Sequence, residues 1–201
     1  MPDYSPETLL KLEYEFASAS ALQAVEQRQK VVAHYLLLAA ALGSAGLLLV
    51  QLDANRLPTV SDIDSAIGPA AHMPGLVFAL FFWSAGLAGF FTLLNLIRLR
   101  QAAHSSLRAM NRIKEFYVVR YPQLSEALSW RAETLPALNR VGSVTFNLAL
   151  LVALSDSLAV GAGMTFIEIK STVPGTAIAA GAALLAFLWQ TLVYFGLLRE
   201  K

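Results

Sequence analysis

The chain has 201 residues, of which 56% are apolar and only 14% are charged, and its formal net charge is +1. A soluble domain of this length carries about a quarter charged residues, so the composition excludes an ordinary soluble globular protein. The chain contains no cysteine, which excludes disulfides, thiolate metal sites and cysteine nucleophiles. These figures predict an integral membrane protein.

Residues 1–30 have the pattern of a cytoplasmic amphipathic helix. Ser5 is typical of a helix N-cap, and Pro6 is typical of the first helical position. Apolar residues then recur every three or four positions, at Leu9, Leu12, Phe16, Ala19, Leu22 and Val25. Because no helix breaker follows, we expect this helix to continue into the first membrane span as one long helix.

Four apolar runs are each long enough to cross a bilayer, which takes roughly 20 residues of helix. They are Val31–Leu52, Leu76–Ile97, Val144–Ile167 and Thr176–Leu198. A closed β-barrel would instead show alternating segments of about ten residues, which this sequence lacks. The predicted fold is therefore all-α: a polytopic membrane protein with four transmembrane helices and a small helical cytoplasmic layer.

The distribution of basic residues predicts the orientation, because short loops rich in lysine and arginine stay in the cytoplasm. Segment 98–140 is rich in arginine, whereas loop 53–75 contains one basic residue, Arg56. We therefore expect loop 53–75 to be external and both termini to be cytoplasmic, in the inner (plasma) membrane. The chain then divides into the N-terminal helix 1–30, a first transmembrane hairpin 31–97, a cytoplasmic basic helical hairpin 98–140 and a second transmembrane hairpin 141–201.

The cytoplasmic segment 98–140 reads as an inward extension of the second span followed by a short helix. Its apolar stripe comprises Leu99, Ala103, Leu107, Met110, Ile113 and Tyr117. Pro122 should end the long helix at about Tyr121, and a short helix is expected over Pro122–Thr134. The amphipathic helices either bury one another or present a docking surface for a soluble cytoplasmic partner.

A basic set follows the second span, and its members are Arg98, Arg100, Arg108, Arg112 and Lys114. Each such residue contributes about 1 kcal/mol to binding at a surface of anionic lipid headgroups. We therefore expect the set to contact the lipid bilayer or a partner. No glycine-rich phosphate loop and no aromatic-interleaved strand accompanies these residues, so we expect no nucleic acid partner.

Small residues recur at four-residue spacing along the spans. Ala39 and Gly43 form such a pair on the first span, and Ala85 and Gly89 form one on the second. The third span continues the pattern at Ala149, Ala153, Ser157 and Gly161, and the fourth carries Ala177–Ala186. Because small residues let helices approach closely in lipid, this density predicts packing between subunits as well, and thus a homo-oligomer.

The third span contains one acid, Asp156, close to its middle. An ionised carboxylate facing lipid costs about 2.5–3.5 kcal/mol there, so Asp156 must be protonated, paired or in contact with water. Ser155, Ser157 and Asn147 add polar character to the same span. No span carries a lysine or arginine at comparable depth, so the candidate partners are uncharged or histidine side chains: His34, Tyr35, Ser44, Ser84, Thr92, Asn95, Gln190, Thr191 and Tyr194.

Two functions fit this pattern. In the first, a homo-oligomer forms or gates an ion-conducting or membrane-permeabilising path lined by Asp156, Ser155, Ser157 and Asn147, where a ring of acids would favour cations. Such an assembly would suit an effector in a bacterial defence or stress response. In the second, Asp156 only holds helices together by hydrogen bonding. The protein is then a non-conducting scaffold or sensor that recruits a soluble partner through its cytoplasmic helices.

Catalysis is not expected from this sequence. Metalloprotease and nucleophile-elbow motifs are missing, and His34, His72 and His104 fall at different depths, so we expect neither a metal nor a cofactor. An intramembrane aspartyl mechanism would need a second carboxylate beside Asp156. The prediction is that the protein is not an enzyme.

Overall fold

The computed structural model describes residues 5–54, 73–126, 128, 135–167 and 174–199. These residues form four α-helices and no strand: α1 (Pro6–Ala54), α2 (Met73–Arg120), α3 (Val144–Thr165) and α4 (Gly175–Leu197). A short 3-10 helix, Pro122–Ser125, follows α2. The predicted all-α fold is confirmed.

The two long helices begin and end close to the predicted positions. Helix α1 starts at Pro6, and the Thr8 amide donates a hydrogen bond to Ser5 Oγ at 3.3 Å, as expected of an N-cap. The same helix continues unbroken to Ala54, and α2 ends at Arg120, just before Pro122. Each of these two helices therefore joins a predicted cytoplasmic segment to a predicted span without a break.

Within the described residues, three helices are long and apolar enough to cross a membrane: α2 from Gly75 onwards, α3 and α4. The apolar window of α4 is only 17% buried within the protein, and Leu185 remains 69% exposed. Apolar helix surfaces of this extent require cover from lipid or from another protein. These helices indicate a membrane protein.

The remaining parts of the four-span prediction are covered incompletely. Residues 31–46 lie within α1, but most side chains from residue 47 to residue 54 fall outside the description, so a crossing by α1 stays a prediction. Loop 53–75 lies mostly outside the described residues, as does the external turn after α3. The short helix expected over Pro122–Thr134 begins as the 3-10 helix, and its later part is also outside the description.

The chain divides into two compact units. Unit 1 comprises residues 1–31, 95–147 and 195–201, and unit 2 comprises residues 32–94 and 148–194. These divisions fall close to the inner ends predicted for the four spans. The sequence pattern that marks the change from polar to apolar helix thus coincides with the change from one unit to the other.

In unit 1, α1 packs through its small residues. Ala17 and Ala24 are buried, whereas Phe16 is 69% exposed and Leu22 is 63% exposed. Of the two interpretations of the apolar stripe of α1, burial by the other cytoplasmic helices is not seen among the described residues of one copy.

Two arginines of unit 1 reach the first turn of α3. Arg100 of α2 donates to Ser143 Oγ at 2.6 Å, and Arg28 of α1 donates to Thr145 Oγ1. Ser143 also caps α3, because its Oγ accepts from the Phe146 amide at 3.2 Å. The start of α3 is thus tied to both long helices by side-chain hydrogen bonds.

In unit 2, close contacts between helices depend on glycine. A Cβ on Gly161 of α3 would lie 3.0 Å from the carbonyl oxygen of Ala179 on α4. A Cβ on Gly163 would lie 2.6 Å from the Trp83 ring of α2. The small-residue face of α3 is therefore used inside a single copy of the chain, where it brings α2 and α4 against α3.

Candidate functional site

Helix α3 turns one face to the interior of unit 2, and Asp156 lies on that face. The face is formed by residues that are all buried at the spacing of one helix side: Ala149, Val152, Ala153, Asp156, Ser157 and Gly161. Asp156 is 1% exposed. The alternation of small residues around it brings neighbouring helices close enough to enclose its carboxyl group.

The side chain of Gln190 on α4 holds one oxygen of this carboxyl. Gln190 Nε2 donates to Asp156 Oδ2 at 2.5 Å. Gln190 is itself buried, as is Tyr194 one turn further along α4. Gln190 and Tyr194 thus face the interior, while the leucines of α4 from Leu184 to Leu197 are exposed.

Two glycines of α2 make room for the other oxygen. A Cβ on Gly89 would lie 2.6 Å from Asp156 Oδ1 and 2.9 Å from Tyr35 Oη of α1. A Cβ on Gly86 would lie 3.4 Å from the same Asp156 oxygen. Because Gly89 has no side chain, a carboxyl from α3 and a hydroxyl from α1 can both lie against the surface of α2 at this position.

The hydrogen bonding of this cluster is incomplete. Asp156 Oδ1 and Gln190 Oε1 are buried and have no hydrogen-bond partner among the described residues. Buried polar atoms are normally paired, so two unpaired acceptors on hydrogen-bonded side chains require an explanation. A proton, a cation or water would each supply what these oxygens lack.

The electrostatic surroundings do not neutralise the carboxyl group. Of the unit 2 residues whose side chains are described, Asp156 is the single acidic one, and none is a lysine or arginine. An isolated buried carboxylate is costly unless a positive charge or a proton compensates it. The site can therefore bind and release a positively charged species, whereas two-carboxylate catalysis would need a second acid.

Of the candidate partners of Asp156, Gln190 forms a hydrogen bond with the carboxyl, and the Tyr35 hydroxyl lies close to the same glycine, Gly89. Ser44, Ser84, Thr92 and Thr191 instead donate to carbonyl oxygens of their own helices. Among the other residues predicted to line a path, Ser157 is buried but donates to Ala153 O at 2.6 Å, and Ser155 is half-buried. Asn147 is exposed and belongs to unit 1.

The burial of Asp156 alters the expected form of the path. A ring of acids around a symmetry axis would need Asp156 on the surface of each copy, and the structure places it in the interior of unit 2. Sequence reasoning also assigned Gly89 to helix packing alone. Its position against the carboxyl was not foreseeable, because a glycine pattern does not tell which side chain of the neighbouring helix it receives.

The basic set of α2 lies entirely in unit 1. Arg98, Arg108 and Arg112 are exposed, and Arg100 and Lys114 are half-buried. Arg100 is engaged with Ser143, so it has a structural role as well as its charge. The exposed members remain predicted contacts for lipid headgroups or a partner.

No model of a known protein family, no curated protein and no solved structure matches this chain, so the chemistry of the site is argued from its own residues.

Proposed function

We propose that this protein is a four-span, homo-oligomeric membrane protein that conducts ions, with Asp156 on the conducting path. The observation that carries the proposal is a carboxyl group that is 1% exposed, has one unpaired oxygen and has no basic partner in the described part of unit 2. Intramembrane acids in such surroundings typically mark ion or proton pathways. The path runs through the helices of each copy.

A role as packing glue alone accounts less well for an acid at this position. An asparagine would accept the same hydrogen bond from Gln190 without a charge to remove from water. Ser44 and Thr191 show that polar groups in these helices are otherwise satisfied locally. The acid offers a property that the amide does not, which is the reversible binding of a positive charge.

The continuous helices supply a means of gating. Helices α1 and α2 each contribute residues to both units without a break. A signal received by the cytoplasmic segments would reach the site through Tyr35 on α1 and Gly89 on α2. Because Asp156 is enclosed in this conformation, opening must separate or rotate at least one of these helices.

Open glycine faces support the homo-oligomer. A Cβ on Gly43 of α1 or on Gly181 of α4 would meet nothing within 4 Å. Small residues in lipid serve close helix approach, and these two are not used for it within one copy. A second copy packed on either face would use them.

The test of conduction uses purified protein in liposomes with an imposed membrane potential, followed with a voltage-sensitive dye. The wild type is expected to dissipate the potential, and the Asp156→Asn variant is expected to do so about 100-fold more slowly, as when a positioned proton-transfer group is removed. Ser84→Ala is the matched control, because Ser84 is exposed and bonds only to Phe81 O of its own helix. Equal rates for wild type and Asp156→Asn would refute a role of Asp156 in conduction.

The proposed topology makes a separate prediction. Since the chain has no cysteine, a single-cysteine variant carries one thiol. Ser65→Cys, in loop 53–75, should react with a membrane-impermeant thiol reagent from outside intact cells. Asn139→Cys, at an exposed position in segment 98–140, should react only after permeabilisation. Labelling of Asn139→Cys from outside would show that the orientation is inverted.

A second candidate function rests on a different observation, the exposed apolar stripe of α1. Phe16 and Leu22 remain largely exposed in one copy, as do Leu9 and Leu12. A non-conducting scaffold would use this stripe to bind an amphipathic helix of a soluble cytoplasmic partner. In that case Phe16→Glu would abolish activity in cells while Asp156→Asn would leave it unchanged, which is the reverse of the result expected for conduction.

A further inference from the structure

We infer that the cluster of Asp156, Gln190 and Tyr35 is a binding site for a proton, and that the proton is the ion carried by the path. This inference rests on the proposed function, and it names the ion. It follows from the arrangement of donors and acceptors around the carboxyl group. The alternative ligand of the same two oxygens would be a metal cation such as Na⁺ or K⁺.

The group that Gln190 presents to Asp156 favours a proton over a metal cation. Its amide nitrogen, rather than its oxygen, faces Asp156 Oδ2, at 2.5 Å. An N–H group repels a metal cation and cannot coordinate it, so Gln190 supplies no ligand beside Oδ2, and the bond occupies one lone pair of that oxygen. The carboxyl therefore offers one free oxygen, Oδ1.

The number of oxygen ligands in the cluster also favours a proton over a metal cation. Metal cations in proteins are held by several oxygen ligands, about six to eight for a calcium ion and rings of carbonyls for K⁺. The cluster supplies Asp156 Oδ1, Gln190 Oε1 and the Tyr35 hydroxyl. The main-chain carbonyls of α-helices are engaged in the helices themselves. A proton needs one oxygen to bind and one to accept the resulting hydrogen bond.

The limited space beside Asp156 Oδ1 likewise favours a proton. A Cβ on Gly89 would lie 2.6 Å from Asp156 Oδ1, so the free oxygen is pressed against the backbone of α2. A proton occupies no additional volume there, whereas a metal ion with its ligands would have to push α2 away. The site as packed is therefore suited to the smaller species.

The step itself is a reversible proton transfer. A proton arriving at Asp156 Oδ1 forms an O–H bond and neutralises the carboxylate, and Oδ1 changes from acceptor to donor. The acceptors that the cluster offers are Gln190 Oε1, which has no partner among the described residues, and the Tyr35 hydroxyl beside Gly89. Release of the proton to the opposite side restores the carboxylate.

The groups that face Asp156 come from three helices. Tyr35 of α1 is the titratable neighbour, α2 presents Gly86 and Gly89, and α4 presents Gln190. Tyr194, also titratable and buried, follows Gln190 by one turn of α4. Tyr35 is assigned to the path itself, because its hydroxyl can accept or relay the proton.

The test uses liposomes that contain purified wild-type protein and a pH-sensitive dye, and it measures their acidification under an imposed pH gradient. A charge-balancing ionophore that does not itself carry protons is present. The external cation is Na⁺, K⁺ or a large organic cation that cannot enter the site. The expected result is equal proton flux with all three cations, lowered about 100-fold in Asp156→Asn. Tyr35→Phe is expected to slow the flux, whereas Tyr14→Phe, at an exposed position of α1, is expected to leave it unchanged.

The outcomes separate this inference from the proposed function. Flux of Na⁺ or K⁺ that depends on Asp156, without proton flux, would overturn the proton assignment and leave the conducting function intact. Absence of all flux from correctly assembled wild type would overturn both.

An infrared measurement tests the site without requiring an open path. At a pH at which exposed carboxylates are ionised, the wild-type spectrum should contain the carbonyl stretch of a protonated carboxylic acid, and this band should be absent from Asp156→Asn. A wild-type spectrum that matches that of Asp156→Asn in this region at every pH at which the protein is folded would overturn the inference.

Discussion

Replacement of Gly89 by alanine is expected to destabilise the protein and to stop conduction. The added Cβ would lie 2.6 Å from Asp156 Oδ1 and 2.9 Å from Tyr35 Oη, which is closer than real Cβ atoms approach other atoms. Either α2 must move away from α1 and α3 or the carboxyl must rotate away from Gln190. Overpacking of this kind costs about 1–3 kcal/mol, and we expect a matching fall in the melting temperature of the purified protein in detergent.

The matched control is Gly196→Ala. Gly196 also lies in a helix, α4, but a Cβ there would meet nothing within 4 Å of the same copy. Alanine is favoured over glycine in a helix by about 1 kcal/mol, so this variant should be as stable as the wild type or slightly more stable. If Gly89→Ala has the same melting temperature as Gly196→Ala and conducts normally, the close approach at Gly89 does not exist in solution.

Replacement of Gln190 by leucine is expected to have the second large effect. The variant removes the amide that donates to Asp156 Oδ2 and leaves a buried carboxyl with neither oxygen paired among the described residues. Removal of one partner from a buried hydrogen bond costs about 1–3 kcal/mol, and more when the group left behind carries a charge. The melting temperature should fall, and the variant should conduct poorly because the carboxyl is no longer held in place.

The double variant Asp156→Leu with Gln190→Leu isolates the cause. Replacing both partners by apolar groups of similar size removes the unpaired acid, so the double variant should recover much of the stability lost in Gln190→Leu. It should not recover conduction, because the acid is gone. If the loss of stability in the double variant equals the sum of the losses in Asp156→Leu and Gln190→Leu, the two residues are not energetically coupled.

The helix ends were predictable because they depend on local chemistry. Ser5 and Pro6 set the start of α1, and Pro122 limits α2, through capping and the geometry of proline, which act within a few residues. The apolar runs that predicted α3 and α4 likewise reflect a property of each segment by itself. Lipid requires every backbone group to be satisfied within the segment, which makes such runs reliable.

The packing of α1 in unit 1 was not predictable in the same way. Its apolar stripe includes Leu9, Leu12 and Phe16, and the hydrophobic pattern indicated that this side would be buried. The structure buries the alanine side instead. Amphipathic pattern identifies an apolar face, but it does not tell whether the cover comes from the same chain or from another one.

The candidate site was predictable in its centre and not in its geometry. Asp156 stood out because no other charge lies at its depth, and Gln190 and Tyr35 were among nine possible partners. Choosing between them requires the rotation of α1 and α4 about their axes, and one residue of rotation is about 100°. The orientation of the Gln190 amide, which decides between a proton and a metal cation, is a property of the packed state alone.

Proton conduction through Asp156 is tested most directly by the reversal potential of the current through purified protein in a planar bilayer, with a proton gradient and equal salt on both sides. We expect a current that reverses at the proton equilibrium potential and that is lost in Asp156→Asn. A current that reverses at zero potential, or one of equal size in Asp156→Asn, would contradict it.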